Sequence, residues 1–135
     1  MTKVFDLAQT ANMFRFTKRV DEKVVLCHGV FDIVHPGHLE HLKQAKAMGD
    51  ILVVGVTADE YVRKGPGRPV HEASRRIAVL EALKIVDRVI LVEHTSAIPL
   101  IAVLRPDIYA KGPDYADRAD GTFALEREAV QSYGG

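Results

Sequence analysis

The stretch Val24-Val25-Leu26-Cys27-His28-Gly29-Val30-Phe31-Asp32-Ile33-Val34-His35-Pro36-Gly37-His38-Leu39 decides the fold. Its opening is a short, β-branched apolar run, the composition of a buried parallel strand. Its middle is a loop, and its end places Pro36 and Gly37 where a helix would begin. Pro is tolerated at the first helical position because the missing N–H has no partner there anyway. A strand thus runs through a compact loop into a helix. Similar apolar runs recur at Ile51–Val56, Val89–Val92 and Asp107–Ala110. Helical spacing fills the intervals: Leu39 to Met48, Ile77 to Leu83, Ile98 to Leu104, and Phe123 to Tyr133. The segment from Leu7 to Phe16 also reads as helical.

Strands alternating with helices predict an α/β protein, a Rossmann-like three-layer sandwich with a parallel sheet and helices on both faces. Such sheets bind ligands beyond the carboxyl ends of their strands. The loops after Cys27, Val56, Val92 and Ala110 are therefore the places to look for chemistry. The 135 residues suit a single domain spanning 1–135. A chain of this size buries about two-thirds of its unfolded surface. Lys and Arg (18) balance Asp and Glu (18), which argues against a general polyanion-binding surface and hence against nucleic acid as partner. The single Cys27 excludes an intramolecular disulfide. No apolar run reaches the ~20 residues of a membrane span, and no signal-peptide core opens the chain, so the expectation is a cytoplasmic protein without membrane contact.

Three of the four loops are chemically rich. In the first, a helix starting at Pro36 would aim its amides and positive dipole end above the sheet, a ready anion site. Gly37 would let a ligand approach the backbone, and His35 and His38 flank the same point as donors to phosphate oxygen. A competing reading is metal ligation, since His35, His38 and His41 recur at spacing three; no Cys or carboxylate cluster completes that set. His94 reads as surface, and His28 stays open. The second loop concentrates cations: Arg63, Lys64, Arg68, Arg75 and Arg76 around Gly65, Pro66, Gly67 and Pro69. Lys supplies a mobile point charge and Arg a planar fork, a pair suited to a triphosphate. The third loop, Lys111-Gly112-Pro113-Asp114-Tyr115, combines turn chemistry with one Lys at a strand's carboxyl end.

Gly29-x-Phe31-Asp32-x-x-His35-x-Gly37-His38 resembles the signature of the cytidylyltransferase-like nucleotidyltransferases, whose hallmark is His-x-Gly-His. The resemblance runs from about Val24 to the C-terminus and looks closest to sugar-phosphate adenylyltransferases, with glycerol-3-phosphate cytidylyltransferases as near cousins. Lys64-Gly65, Arg68-Pro69-Val70 and Lys111 to Tyr115 are similar to stretches of the adenylyltransferases, although Pro113 replaces a glycine. The resemblance implies nucleotidyl transfer from ATP, or alternatively CTP, to a sugar or polyol phosphate. Magnesium would accompany the triphosphate, and no protein metal site is expected. It makes His35, His38 and Lys64 catalytic. It assigns Gly29, Val30, Phe31, Asp32, Gly37, Arg76, Lys111, Gly112 and Asp114 to ligand binding. Relatives commonly form homodimers. They also continue past this length with a strand and a last helix, so the chain is expected to be a piece of a longer protein, such as a fusion with a sugar kinase. Two readings of other kinds stay open: a nucleotide-binding module without catalysis, and a zinc hydrolase using the three histidines.

Overall fold

A computed structural model describes residues 4–10, 21–31, 34–62, 71–111 and 122–135, with side chains from 124 onward in the last segment. Five strands form one sheet: β1 (Val4–Phe5), β2 (Val24–Gly29), β3 (Ile51–Thr57), β4 (Arg88–Val92) and β5 (Ile108–Tyr109). Four helices accompany them: α1 (Pro36–Ala47), α2 (Ala73–Glu81), α3 (Ile98–Leu104) and α4 (Thr122–Gln131). A 3-10 turn occupies Asp59–Tyr61. All strand pairs are parallel, in the order β1-β4-β3-β2-β5. The α/β sandwich expected from the sequence is thus the observed architecture.

The order explains the layers. From β2 the chain steps through β3 to β4, and α1 and α2 pack on one face with Val25, Cys27, Leu52, Val54 and Val56. It then returns across the sheet to β5, on the other side of β2. A right-handed crossover in the reverse direction must lie on the opposite face. Leu100, Ile101 and Leu104 of α3, with Val130 of α4, accordingly cover Val24, Leu26, Val53 and Ile90 there. The strand order reverses between β2 and β5, so the crevice above their carboxyl ends is the topological switch point.

The strands differ from the sequence reading in detail. The chain makes a fifth strand at the edge, Val4–Phe5 beside Val89 and Ile90, where none was expected. Two residues carry no periodicity of their own, and the pairing is made by β4. β5 is shorter than Asp107–Ala110, because Asp107 performs another task. Of the N-terminal segment expected to be helical, residues 7–10 are so, and 11–16 lie outside the described residues.

At the amino edge of the sheet three aspartates repeat one device. Asp50 donates its N–H to Lys23 O (2.8 Å) while its carboxylate accepts from Lys23 N (2.8 Å). Asp87 does the same with Leu52 O (2.9 Å) and Leu52 N (2.8 Å). Asp107 does it with Val24 O (2.9 Å) and Val24 N (2.8 Å). Each therefore closes a two-bond ring with one residue at the start of the neighbouring strand and gives its amide an acceptor. Lys46 adds its ammonium to Asp87 at 2.7 Å. Replacing Asp87 by Ala leaves the N–H of fully buried Leu52 without its acceptor. We expect Asp87→Ala to lower unfolding free energy by about 2 kcal/mol in urea denaturation.

Candidate active site

β2 ends at Gly29, and the loop beyond it lies at the switch point. Phe31 adopts φ 52°, a left-handed conformation that bulky side chains rarely take. Its surroundings hold it there. The Phe31 ring is buried and meets the His38 ring at 5.5 Å, tilted by 58°. The preceding carbonyl, Val30 O, accepts a 2.7 Å hydrogen bond from Arg76. Asp32 follows outside the described residues.

His35 is the N-cap of α1, in extended conformation (φ −131°, ψ 173°). Its Nδ1 accepts from Gly37 N at 3.0 Å, and the side chain also caps the His38 backbone. In return, His38 Nδ1 accepts from His35 N at 3.2 Å. This is a capping box in which both side chains are imidazoles. The two rings stack with centroids 3.9 Å apart and planes 28° from parallel. Gly37 makes the stack fit: a Cβ there would stand 2.8 Å from His35 Cε1 and 3.0 Å from its Nδ1.

This geometry corrects one expectation from the sequence. The first turn of α1 offers no amide to an anion, because Pro36 has none, Gly37 and His38 are capped by His35, and Leu39 N bonds His35 O at 3.2 Å. Gly37 serves ring packing rather than ligand approach. The geometry also fixes tautomers. A nitrogen that accepts cannot carry the proton, so in both rings the N–H is at Nε2. The helix start has been converted from backbone donors to two imidazole donors.

The Arg76 guanidinium is fully buried. Four N–H bonds leave it: to His71 O (3.0 Å), Val30 O (2.7 Å), Thr57 O (2.8 Å) and Asp59 Oδ1 (2.6 Å). It ties α2 to the carboxyl ends of β2 and β3 and thereby positions the loop that carries Phe31 and the histidines. Asp59 Oδ1 accepts from Ala73 N as well, at 3.0 Å, anchoring the start of α2. Arg75 is exposed, as expected.

Behind this edge lies His28, left open by the sequence and now buried. Its Nε2 is 3.3 Å from Thr57 Oγ1, which also stands 3.3 Å from Gly29 O. Burial first, and then the charges of Lys111 and His94, push its pKa down from 6.5 to about 3. Gly55 makes room for it, since a Cβ there would meet His28 Cδ2 at 3.3 Å and Leu100 Cδ2 at 2.8 Å. Burial, opposed by the charge of Lys111, pushes the Cys27 thiol up to about 12, which leaves it protonated and a poor nucleophile. Half-buried His41 is held below its usual range by burial and then by Lys111. His94 is exposed, with Nδ1 accepting from Ser96 N at 3.0 Å. Among the described residues, no three His, Cys, Asp or Glu side chains gather as a metal-ligand set.

Lys111 follows β5, beside β2, as the sequence suggested. Its side chain is only 7% exposed, and its Nζ stands 3.3 Å from Glu126 Oε1. Sequence reading missed Glu126, Thr57 and Asp59. Only the last had a signal, an acidic residue just beyond a strand's carboxyl end. Gly29, Val30, Phe31, His35, Gly37, His38 and Arg76 assemble around one strand end, with Lys111 on the adjacent strand. Lys64, Gly112 and Asp114 lie outside the described residues, with Arg63, Arg68, Pro113 and Tyr115.

His28 yields a pH dependence with a definite sign. Below pH 6.5 the unfolded chain protonates this imidazole and the folded protein does not, down to about pH 3. Stability from this group is thus complete above pH 6.5 and falls as the solution is acidified. The slope approaches about 1.4 kcal/mol per pH unit. His28→Asn removes that component, so the stability gap between the two proteins should narrow from pH 6.5 to pH 4. Parallel curves in urea titrations would refute the assignment.

Known proteins are similar to this chain in sequence and in fold. The family described as Cytidylyltransferase-like matches residues 26–133. The bifunctional protein HldE of Alcanivorax borkumensis is 44% identical over 117 residues, covering 84% of this chain and 24% of that protein. HldE of Helicobacter acinonychis is 40% identical over 118 residues, 86% of this chain and 25% of that one. The chain therefore spans about a quarter of the length of these relatives. A solved lipopolysaccharide core biosynthesis protein from Thermoplasma volcanium superposes with TM-score 0.69 at 33% identity, covering 84% of this chain and 89% of that one. A pantoate–β-alanine ligase from Francisella tularensis shares the fold alone, with TM-score 0.68 at 14% identity over 98% of this chain and 63% of that one. With a match over most of its length and a paired-imidazole helix start at the switch point, the chain belongs to the cytidylyltransferase-like family of nucleotidyltransferase domains.

Proposed function

We propose that this domain transfers the nucleoside monophosphate of a triphosphate, ATP, to the phosphate of a sugar 1-phosphate, releasing pyrophosphate. A heptose 1-phosphate of lipopolysaccharide core synthesis is the acceptor that suits the similarity to HldE and to the Thermoplasma protein. The observation that carries the reading is the His35–His38 pair. Capping bonds engage both Nδ1 atoms, and the stacked rings lie beside the strand end where a nucleotide would sit.

The chemistry needs no protein nucleophile. An oxygen of the acceptor phosphate attacks the α-phosphorus in line. The new P–O bond forms as the bond to the β-phosphate oxygen breaks, and pyrophosphate takes the electron pair. Charge develops on the transferring and leaving oxygens, where fixed donors stabilise it most. His35 and His38 donate to those oxygens through Nε2. Lys64 neutralises the triphosphate and Lys111 the acceptor phosphate. Gly29, Val30, Phe31, Asp32, Gly112 and Asp114 would bind the ligands, and Arg76 holds the Val30 carbonyl. Magnesium arrives with the triphosphate as part of the substrate. Asp59 and Glu126, the inward carboxylates described at this edge, are both engaged by cations, so phosphates and water would carry the ion. No helix among the described residues is long and apolar enough to cross a membrane, which fits a cytoplasmic enzyme working on soluble substrates. A homodimer is the assembly we expect.

Two measurements test the reading. Thermal unfolding with ATP, CTP, GTP or UTP, each with magnesium, should show selective stabilisation by ATP, about 2.7 kcal/mol at a hundred times its Kd. Pyrophosphate release from ATP and heptose 1-phosphate should fall about a hundredfold or more in His38→Ala, with nucleotide-free stability lowered only by the lost cap. Selectivity for CTP would replace the adenylyl reading with cytidylyl transfer. Stabilisation by ATP without pyrophosphate release would leave a binding module, and response to none of the four would overturn the nucleotide site.

A further inference from the structure

The mechanism above makes no use of Glu126, yet no carboxylate described in the fold is more deeply buried, at 1% exposure. α4 inserts it between the start of α3 and the end of β5. Its Oε2 accepts from Ala97 N at 2.6 Å. Its Oε1 accepts from the Tyr109 hydroxyl at 2.8 Å and lies 3.3 Å from Lys111 Nζ. One carboxylate thus joins three elements through three donors.

The two oxygens do different work. Oε2 replaces the side-chain cap that α3 lacks, since its N-cap residue is Ala97. That task needs only an acceptor. Oε1 faces a cation, and here charge and position both matter. Lys111 has a flexible four-carbon stem, and nothing intrinsic to it decides where its ammonium sits. A buried ammonium requires an opposite charge. Glu126 supplies that charge on one side, and the Tyr109 ring, 5.2 Å from Nζ, supplies a favourable face on another. Tyr109 is itself oriented by the same carboxylate oxygen. α4 therefore helps to set the location of the cation through Glu126.

We propose that Glu126 is a positioning residue for the reaction: with Tyr109 it fixes the Lys111 ammonium beside the switch point, where it meets the acceptor phosphate. This rests on the reading of Lys111 as the acceptor's cation. Arrival of a phosphate then changes a carboxylate–ammonium pair into a carboxylate–ammonium–phosphate arrangement, with no large movement of the lysine.

Steady-state kinetics of Lys111→Met, Glu126→Gln and the double variant test it, with heptose 1-phosphate and ATP varied in turn. Glu126→Gln keeps an amide oxygen for Ala97 N and removes the charge. The KM for heptose 1-phosphate should rise about tenfold or more, with the KM for ATP changed less than about twofold. The double variant should be no worse than Lys111→Met alone, because two residues acting as one unit are not additive. That variant buries no unpaired charge, so it can be measured even where Glu126→Gln folds poorly. Additive losses in the double variant would overturn the proposal and leave Glu126 as a cap for α3. An unchanged acceptor KM in Lys111→Met would instead refute the role of Lys111, and the positioning role with it.

Discussion

The carboxyl edge of this sheet depends on one buried guanidinium. β2 and β3 run out beside each other, and at their ends the carbonyls of Val30 and Thr57 have passed beyond the ladder. Arg76 donates to both from one nitrogen, at 2.7 and 2.8 Å. Its remaining donors reach His71 O and the Asp59 carboxylate, so the cost of burying the charge is met by a partner of opposite charge and three carbonyls. A lysine could not do this, since its donors radiate from one point rather than from a planar fork. The consequence reaches the chemistry. Fixing Val30 O fixes the peptide before Phe31, and that residue's φ of 52° turns its ring beneath His38. Local strain of this kind persists only where surrounding bonds determine it, and here they do.

The histidines then change what the helix start offers. A bare helix start offers amides whose direction is set by the helix axis. In α1 those of Gly37 and His38 are capped by the His35 side chain, Leu39 N bonds His35 O, and the two imidazole rings stack. The same bonds that end the helix prepare its donors.

Much of this was legible in the sequence because it is local. The apolar run from Val24, the Pro36–Gly37 helix start and the spacing of His35 and His38 all act within a few residues of one another. What was hidden is long-range. Arg76 reads as one more cation in a basic segment, and nothing in the chain announces that Asp59 and the ends of two strands will close around it. Glu126 sits in an ordinary amphipathic stretch, and its burial follows from β5 and α3 arriving on either side. Val4–Phe5 becomes a strand only because β4 leaves an edge open to it. In each case the deciding partner lies more than ten residues away.

The two edges of a parallel sheet are chemically unlike, and this protein answers each with the opposite kind of side chain. At the amino edge, first amides of strands lack acceptors, and Asp50, Asp87 and Asp107 supply carboxylates to Lys23, Leu52 and Val24. At the carboxyl edge, last carbonyls lack donors, and Arg76 supplies a cation. Backbone demand thus places carboxylates at one end of the strands and a guanidinium at the other. The donor-rich edge is also where the strand order reverses and a crevice opens. The environment there has a sign set by the need to finish the sheet. The imidazoles of His35 and His38 and the ammonium of Lys111 extend that sign outward, and Asp59 and Glu126 do not oppose it, because each already faces a cation. The donors gathered at this edge are thus a continuation of the fold's own hydrogen-bond requirements.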